Sequence, residues 1–127
     1  MSNWDEYKAK AKGRGALALE LYVVTSTKAP DGDIPTYLPD HLAYQAQMEA
    51  QEKLAFAGPM SDASGQENSG DGLIIYRASS LAEATEMAAA DPMHVSGTRS
   101  FTVRKWLVNE GSFSVQVGLS GKSVSMS

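Results

Sequence analysis

The chain reads as an α+β domain with the element order β-α-β-β-α-β. Three observations predict it: a strand with strict two-residue alternation near the N-terminus, a capped helix after it, and a second capped helix between two β-branched and aromatic segments. At 127 residues and without a break in composition, the chain fits one domain. A chain of this size buries roughly two-thirds of its unfolded surface, enough for a core without covalent staples. With no cysteine, disulfides, thiolate metal sites and cysteine nucleophiles are excluded.

Residues 1–15 are polar and charged and read as a leader, and the domain is expected over 16–109. In residues 16–25 (ALALELYVVT), Leu17, Leu19, Leu21 and Val23 alternate onto one face, expected to pack on helices. Ala18, Glu20, Tyr22 and Val24 fall on the other. Residues 26–39 hold three prolines and Asp31-Gly32 and read as a long loop. Asp40 is the expected N-cap of a helix over 41–55, with Ala43, Ala46, Ala50 and Leu54 as its inner stripe and Tyr44 and Met48 along the edge. A short strand over 55–60 follows, then a polar loop over 61–72.

Residues 73–78 (LIIYRA) form the next strand, and Ser80-Leu81-Ala82-Glu83 is a capping box. That second helix is expected to turn Leu81, Ala84 and Ala88 inward and to close at Asp91-Pro92. Residues 99–108 (RSFTVRKWLV) make the last core strand, with Phe101 and Val103 opposite Thr102, Arg104 and Trp106. The Ser- and Gly-rich tail over 110–127 either adds one strand at 112–117 or frays. The order is that of the ferredoxin-like split βαβ fold, an antiparallel sheet with two helices on one face. Its other face is left open, which predicts a homodimer through that face.

Charge and hydropathy remove several function classes. Eleven basic against fifteen acidic side chains, without a basic stripe, argue against nucleic acid as a partner. No apolar run is long enough to cross a bilayer, and no apolar export segment opens the chain, so the cytoplasm is the expected location. Gly13-x-Gly15 precedes a strand and lacks a third glycine, so it is no dinucleotide motif, and Asp31-x-Asp33 lacks the later oxygen ligands of a calcium loop.

His41, in the first turn of its expected helix, sits where the helix dipole favours a neutral imidazole, the form a general base needs. Asp91 is the candidate carboxylate to orient it. His41, Asp91 and His94 also have the composition of a two-histidine, one-carboxylate metal site, but the spacing is weak and a surface histidine is the better reading of His94.

Asp40-His41-Leu42, Gly58-Pro59-Met60, Ala90-Asp91-Pro92-Met93 and a strand carrying Arg104 and Trp106, in that order, resemble the YciI-like (YCII-related) family over residues 16–108. The resemblance implies a dimeric α+β barrel with a His–Asp dyad in a pocket, carried here by His41 and Asp91. It also implies a proton-transfer enzyme without a cofactor, acting on a small cyclic or enolic substrate by elimination, isomerisation or hydrolysis. One relative removes chloride from a chlorinated hydroquinone. Gly58, Met60 and Met93 are the expected pocket lining, between sheet and first helix, and no metal is expected. Met93 departs from the aromatic residue usual after Asp-Pro, and the leader and tail lie outside the shared pattern. The competing reading is a non-catalytic dimeric ligand-binding or interaction module that uses the leader or tail. A cofactor-independent oxygenase of the same architecture rests on fold analogy alone.

Overall fold

In the computed structural model, which describes residues 3–127, ten elements follow in chain order: α1 (Trp4–Gly13), β1 (Leu19–Lys28), α2 (Ile34–Ala50), β2 (Leu54–Ser61), β3 (Asn68–Tyr76), α3 (Leu81–Ala89), α4 (Pro92–Val95), β4 (Arg99–Val108), β5 (Val115–Gly118) and β6 (Ser123–Met126). They fall into two compact units, residues 20–106 and the two flanking segments together.

The first unit carries the α+β fold. Its sheet has the order β2-β3-β1-β4, with β3 antiparallel to both of its neighbours, so each helical crossover skips one strand, as in ferredoxin-like folds. The core joins Tyr22 and Val24 of β1 and Ile74 and Tyr76 of β3 to Met48 of α2 and Ala84, Met87 and Ala88 of α3. Phe101 and Val103 pack against it, on the side of β4 that the sequence pattern assigns to the core.

Strand β1 runs three residues later than the alternation suggests and turns its other face to the helices. Tyr22, Val24 and Ser26 are buried there, while Val23 and Thr25 line the opposite side of the sheet. Both faces of this strand are apolar enough for either assignment. The deciding partner is the helix layer, where aromatic Tyr22 and Tyr76, paired across β1 and β3, fill more volume than the leucines.

Helix α2 departs furthest from expectation. It begins at Ile34, and its N-cap is Asp33, not Asp40: the Asp33 carboxylate accepts the Thr36 N–H (3.3 Å) and hydroxyl (2.6 Å). Pro35 sits in the first turn, where its missing N–H costs nothing, and only Pro39 interrupts the ladder, leaving the Pro35 carbonyl without its usual donor. The helix stops at Ala50. Its inward residues are His41, Tyr44, Gln45 and Met48, the i, i+3, i+4, i+7 positions of one face, and Ala43, Ala46 and Ala50 are exposed.

Helix α3 opens as the capping box predicts, with Ser80 Oγ accepting the Glu83 N–H (3.1 Å). The Glu83 carboxylate reaches the Ser79 hydroxyl (2.7 Å) instead of the cap's own amide, and those bonds lower its pKa. Leu81 is exposed, and Met87 takes the inward place expected of it.

In the second unit, the residues read as a leader hold a helix capped by Asn3, which accepts the Asp5 and Glu6 amides. The tail forms a β5–β6 hairpin in which Val115 pairs with Met126 and Val117 with Val124.

Candidate active site

Two chain reversals build the site. Helix α3 ends at Ala89, and Pro92 forces a fresh start one turn later, so Asp91 becomes the N-cap of α4. Its carbonyl accepts the His94 and Val95 amides (2.8 and 2.9 Å), and its Oδ1 accepts the Met93 N–H (2.9 Å). The carboxylate is thereby fixed by its own backbone.

Helix α2 packs against this turn and delivers His41. Its Nδ1 lies 2.9 Å from Oδ1 and 2.8 Å from Oδ2 of Asp91, with the aspartate 0% and the imidazole 18% exposed. A carboxylate only accepts, so Nδ1–H is the donor and Nε2 is the ring's remaining lone pair. The basic atom of the pair is therefore on the partly open histidine, and the orienting charge is wholly buried.

This geometry replaces the electrostatic argument from sequence. With α2 starting at Ile34, His41 lies in the second turn, beyond the strongest part of the helix dipole. Its tautomer is set by Asp91 instead.

His94 is not a surface histidine. Its Nδ1–H donates to the Ala88 carbonyl (2.7 Å), so Nε2 is the acceptor of the Ser26 O–H, 2.8 Å away. Ser26 Oγ in turn accepts Nε–H of Arg99 (2.8 Å). The ring lies against Phe101, centroids 4.6 Å apart. Burial pushes the His94 pKa down, opposed by the Ala88 carbonyl and Asp91, with His41 and Arg99 adding to the fall. Both ring nitrogens are engaged by protein groups, and among the described residues no cluster of histidine and carboxylate side chains has metal-site geometry.

Two phenols complete the surroundings. Tyr44 donates to the Met87 carbonyl (2.7 Å), and burial, then Asp91, raises its pKa. Tyr76 is fully buried and its pKa is raised by burial first, then by Tyr44 and Asp91. Among the described residues, its hydroxyl and Gln45 Oε1, on the His41 face of α2, have no hydrogen-bond partner.

Of the expected lining residues, Met93 is buried and meets Asp91 through its backbone. Gly58 is an exposed position on β2, paired with Leu73. Met60 borders a separate shallow depression of about 180 Å3 with Pro59, Ser61 and the 65–68 turn. A larger concavity, about 360 Å3, lies on the open side of the sheet among Val23, Thr25, Leu73, Ile75 and the 104–106 segment. Sequence reading missed Ser26, Tyr76 and Arg99. Continuing the alternation from Tyr22 and Val24 by one step would have placed Ser26 on the site's side of β1.

The YCII-related domain model matches residues 21–107. The uncharacterized protein YjpA of Bacillus subtilis (strain 168) is 35% identical over 66 residues, 52% of this chain and 71% of that protein. The structure of 5-chloro-2-hydroxyhydroquinone dehydrochlorinase (TftG) from Burkholderia phenoliruptrix AC1100, in complex with 2,5-dihydroxybenzoquinone, superposes with a TM-score of 0.54 at 24% identity, covering 68% of this chain and 92% of that one. At that identity the likeness establishes the fold. With the family model spanning all four strands of that sheet except the outer ends of β1 and β4, and both of its crossover helices, this chain belongs to the YCII-related family.

Proposed function

We propose that the protein is a small-molecule enzyme in which His41 moves a proton and Asp91 holds the imidazole for it. The observation that carries this reading is the His41 Nδ1 contact with both oxygens of a wholly buried Asp91. In that arrangement Nε2 accepts a proton from an acidic C–H or O–H of the substrate; the freed bonding pair stays on the substrate as an enolate, or forms a new π bond while a leaving group departs with the pair of its own bond. The positive imidazolium then lies beside the carboxylate, which stabilises it without reorganisation. The dehydrochlorinase among the similar structures acts on a hydroxylated ring and binds a hydroxyquinone. A small cyclic, enolisable substrate is the class we assign here.

Ring nitrogen NMR tests the pair. In the wild type, His41 is expected as the Nδ1–H tautomer, with Nε2 shifting when 2,5-dihydroxybenzoquinone is added. In Asp91→Asn the tautomer preference is lost. An unchanged His41 spectrum in Asp91→Asn removes the dyad.

An interaction module remains the second reading, because β5–β6 offers an apolar face. Val115, Val117, Val124 and Met126 share one side of the ribbon and are all exposed, while Gln116 and Ser125 lie on the other. Deleting residues 112–127 separates the readings: the enzyme keeps its small-molecule binding, and a module loses its partner with the fold intact.

A further inference from the structure

Arg99 opens β4 beside the last buried residue of β1. Its guanidinium donates through Nε to Ser26 Oγ (2.8 Å) and through Nη2 to the carbonyls of Ser26 (3.1 Å) and Gly70 (2.8 Å). All three acceptors are neutral oxygens. Among the described residues no carboxylate lies within ion-pair distance of it, and its Nη1 makes no hydrogen bond. A cation drawn partly out of water is usually balanced by an adjacent anion. Here burial pushes the pKa of Arg99 down, opposed by Asp71 and Asp91.

The cation is also tied to the site. Ser26, which receives Nε–H, donates its own hydroxyl hydrogen bond to His94, whose backbone N–H is bonded to the Asp91 carbonyl (2.8 Å). Three bonds hold the guanidinium still, so its unused donor is fixed before any ligand arrives, and binding there costs little ordering entropy. His94 stays neutral between Ser26 and the Ala88 carbonyl and does not compete as a second cation.

We propose that Arg99 anchors an anionic oxygen of the small molecule whose proton His41 moves, an enolate, phenolate or carboxylate oxygen. The assignment rests on the proton-transfer reading and adds the charge of the substrate. It requires a ligand with an acidic oxygen set apart from its reacting position, as a hydroxyquinone has.

Calorimetric titration of the full chain at pH 7.5 tests it with two probes, 2,5-dihydroxybenzoquinone, which is anionic there, and neutral hydroquinone. The wild type should bind the anion more tightly than the neutral ring, and less tightly as salt rises. Arg99→Gln should weaken the anion about tenfold or more and leave hydroquinone unchanged. Arg99→Lys, which keeps the charge without the fork, should fall between them and covers the case in which Arg99→Gln does not fold. Equal binding of the two probes by the wild type, no binding of either, or anion affinity unaltered in a folded Arg99 variant overturns the proposal. The His41 tautomer signature separates this outcome from the dyad: it should persist in Arg99→Gln, whereas its loss in Asp91→Asn reports on the dyad alone.

Discussion

Asp91 carries more of the local structure than any other single residue. It caps α4 with its carbonyl and Oδ1 and takes His41 Nδ1–H on both oxygens, all while fully buried. Truncation to alanine strands the Met93 amide and the His41 ring donor together, so Asp91→Ala should cost about 2–4 kcal/mol, read from denaturant unfolding, where Asp91→Asn costs less. His94 makes a separate, pH-dependent contribution. Burial lowers its folded pKa below the ordinary 6.5, so below that pH the unfolded chain binds more protons than the folded one. Stability linked to His94 is therefore complete above about pH 6.5 and is lost as the pH falls through the window beneath it. Melting temperature should drop between pH 7 and pH 5 in the wild type, and by less in His94→Gln. Parallel curves for the two proteins would show that His94 does not titrate differently on folding.

Prolines explain most of the distance between the sequence and the elements. Pro30, Pro35 and Pro39 together resemble a loop, but a proline in the first turn lacks only a donor that no helix uses, and Asp33 supplies the cap that starts α2 early. Asp33→Ala should therefore lower stability by about 1 kcal/mol, measured by urea unfolding, while Asp40→Ala, at an exposed position inside the helix, should change it by less than about 0.5 kcal/mol. The inner face of the helix carries His41, Tyr44, Gln45 and Met48, which is how the histidine reaches Asp91. The order of the sheet elements, β4 and the Ser80 cap were legible because alternation, aromatic content and a capping serine act locally. Which face of β1 turns inward was not, since Leu21 and Val23 match Tyr22 and Val24 in apolarity and only the helices above decide. His41 and Asp91 were paired through the family resemblance, while the first-turn position expected of His41 does not hold, because α2 starts at Ile34. Ser26, Tyr76 and Arg99 were not legible, because each acquires its partners or its isolation from strands distant in sequence.

Within residues 20–106, the sheet packs its helices on one side and holds a concavity on the other. Val23, Leu73 and Ile75 form an apolar floor there beside Trp106, which is 44% exposed, and the concavity among them holds about 360 Å3. A sheet face without a helix layer, lined by half-buried Val23 and Leu73 and an exposed Trp106, is ordinarily closed by a second copy, and a two-fold axis through it would set the floor of one chain on the floor of the other. We propose that the protein is a homodimer through this face. The central position of Val23, on a strand paired on both sides, makes it the sharpest probe, because a charge there has no route to solvent once two sheets meet. Val23→Lys and Trp106→Glu should each convert a dimer into a monomer in analytical ultracentrifugation while the far-ultraviolet circular dichroism stays unchanged. The His41–Asp91 contact lies within one chain, between α2 and the Asp91 turn, so the monomeric variants should retain the His41 tautomer signature. A wild type that sediments as a monomer, or variants that remain dimeric with an intact fold, would move the self-association surface elsewhere, with the exposed valines of β5–β6 as the next place to look.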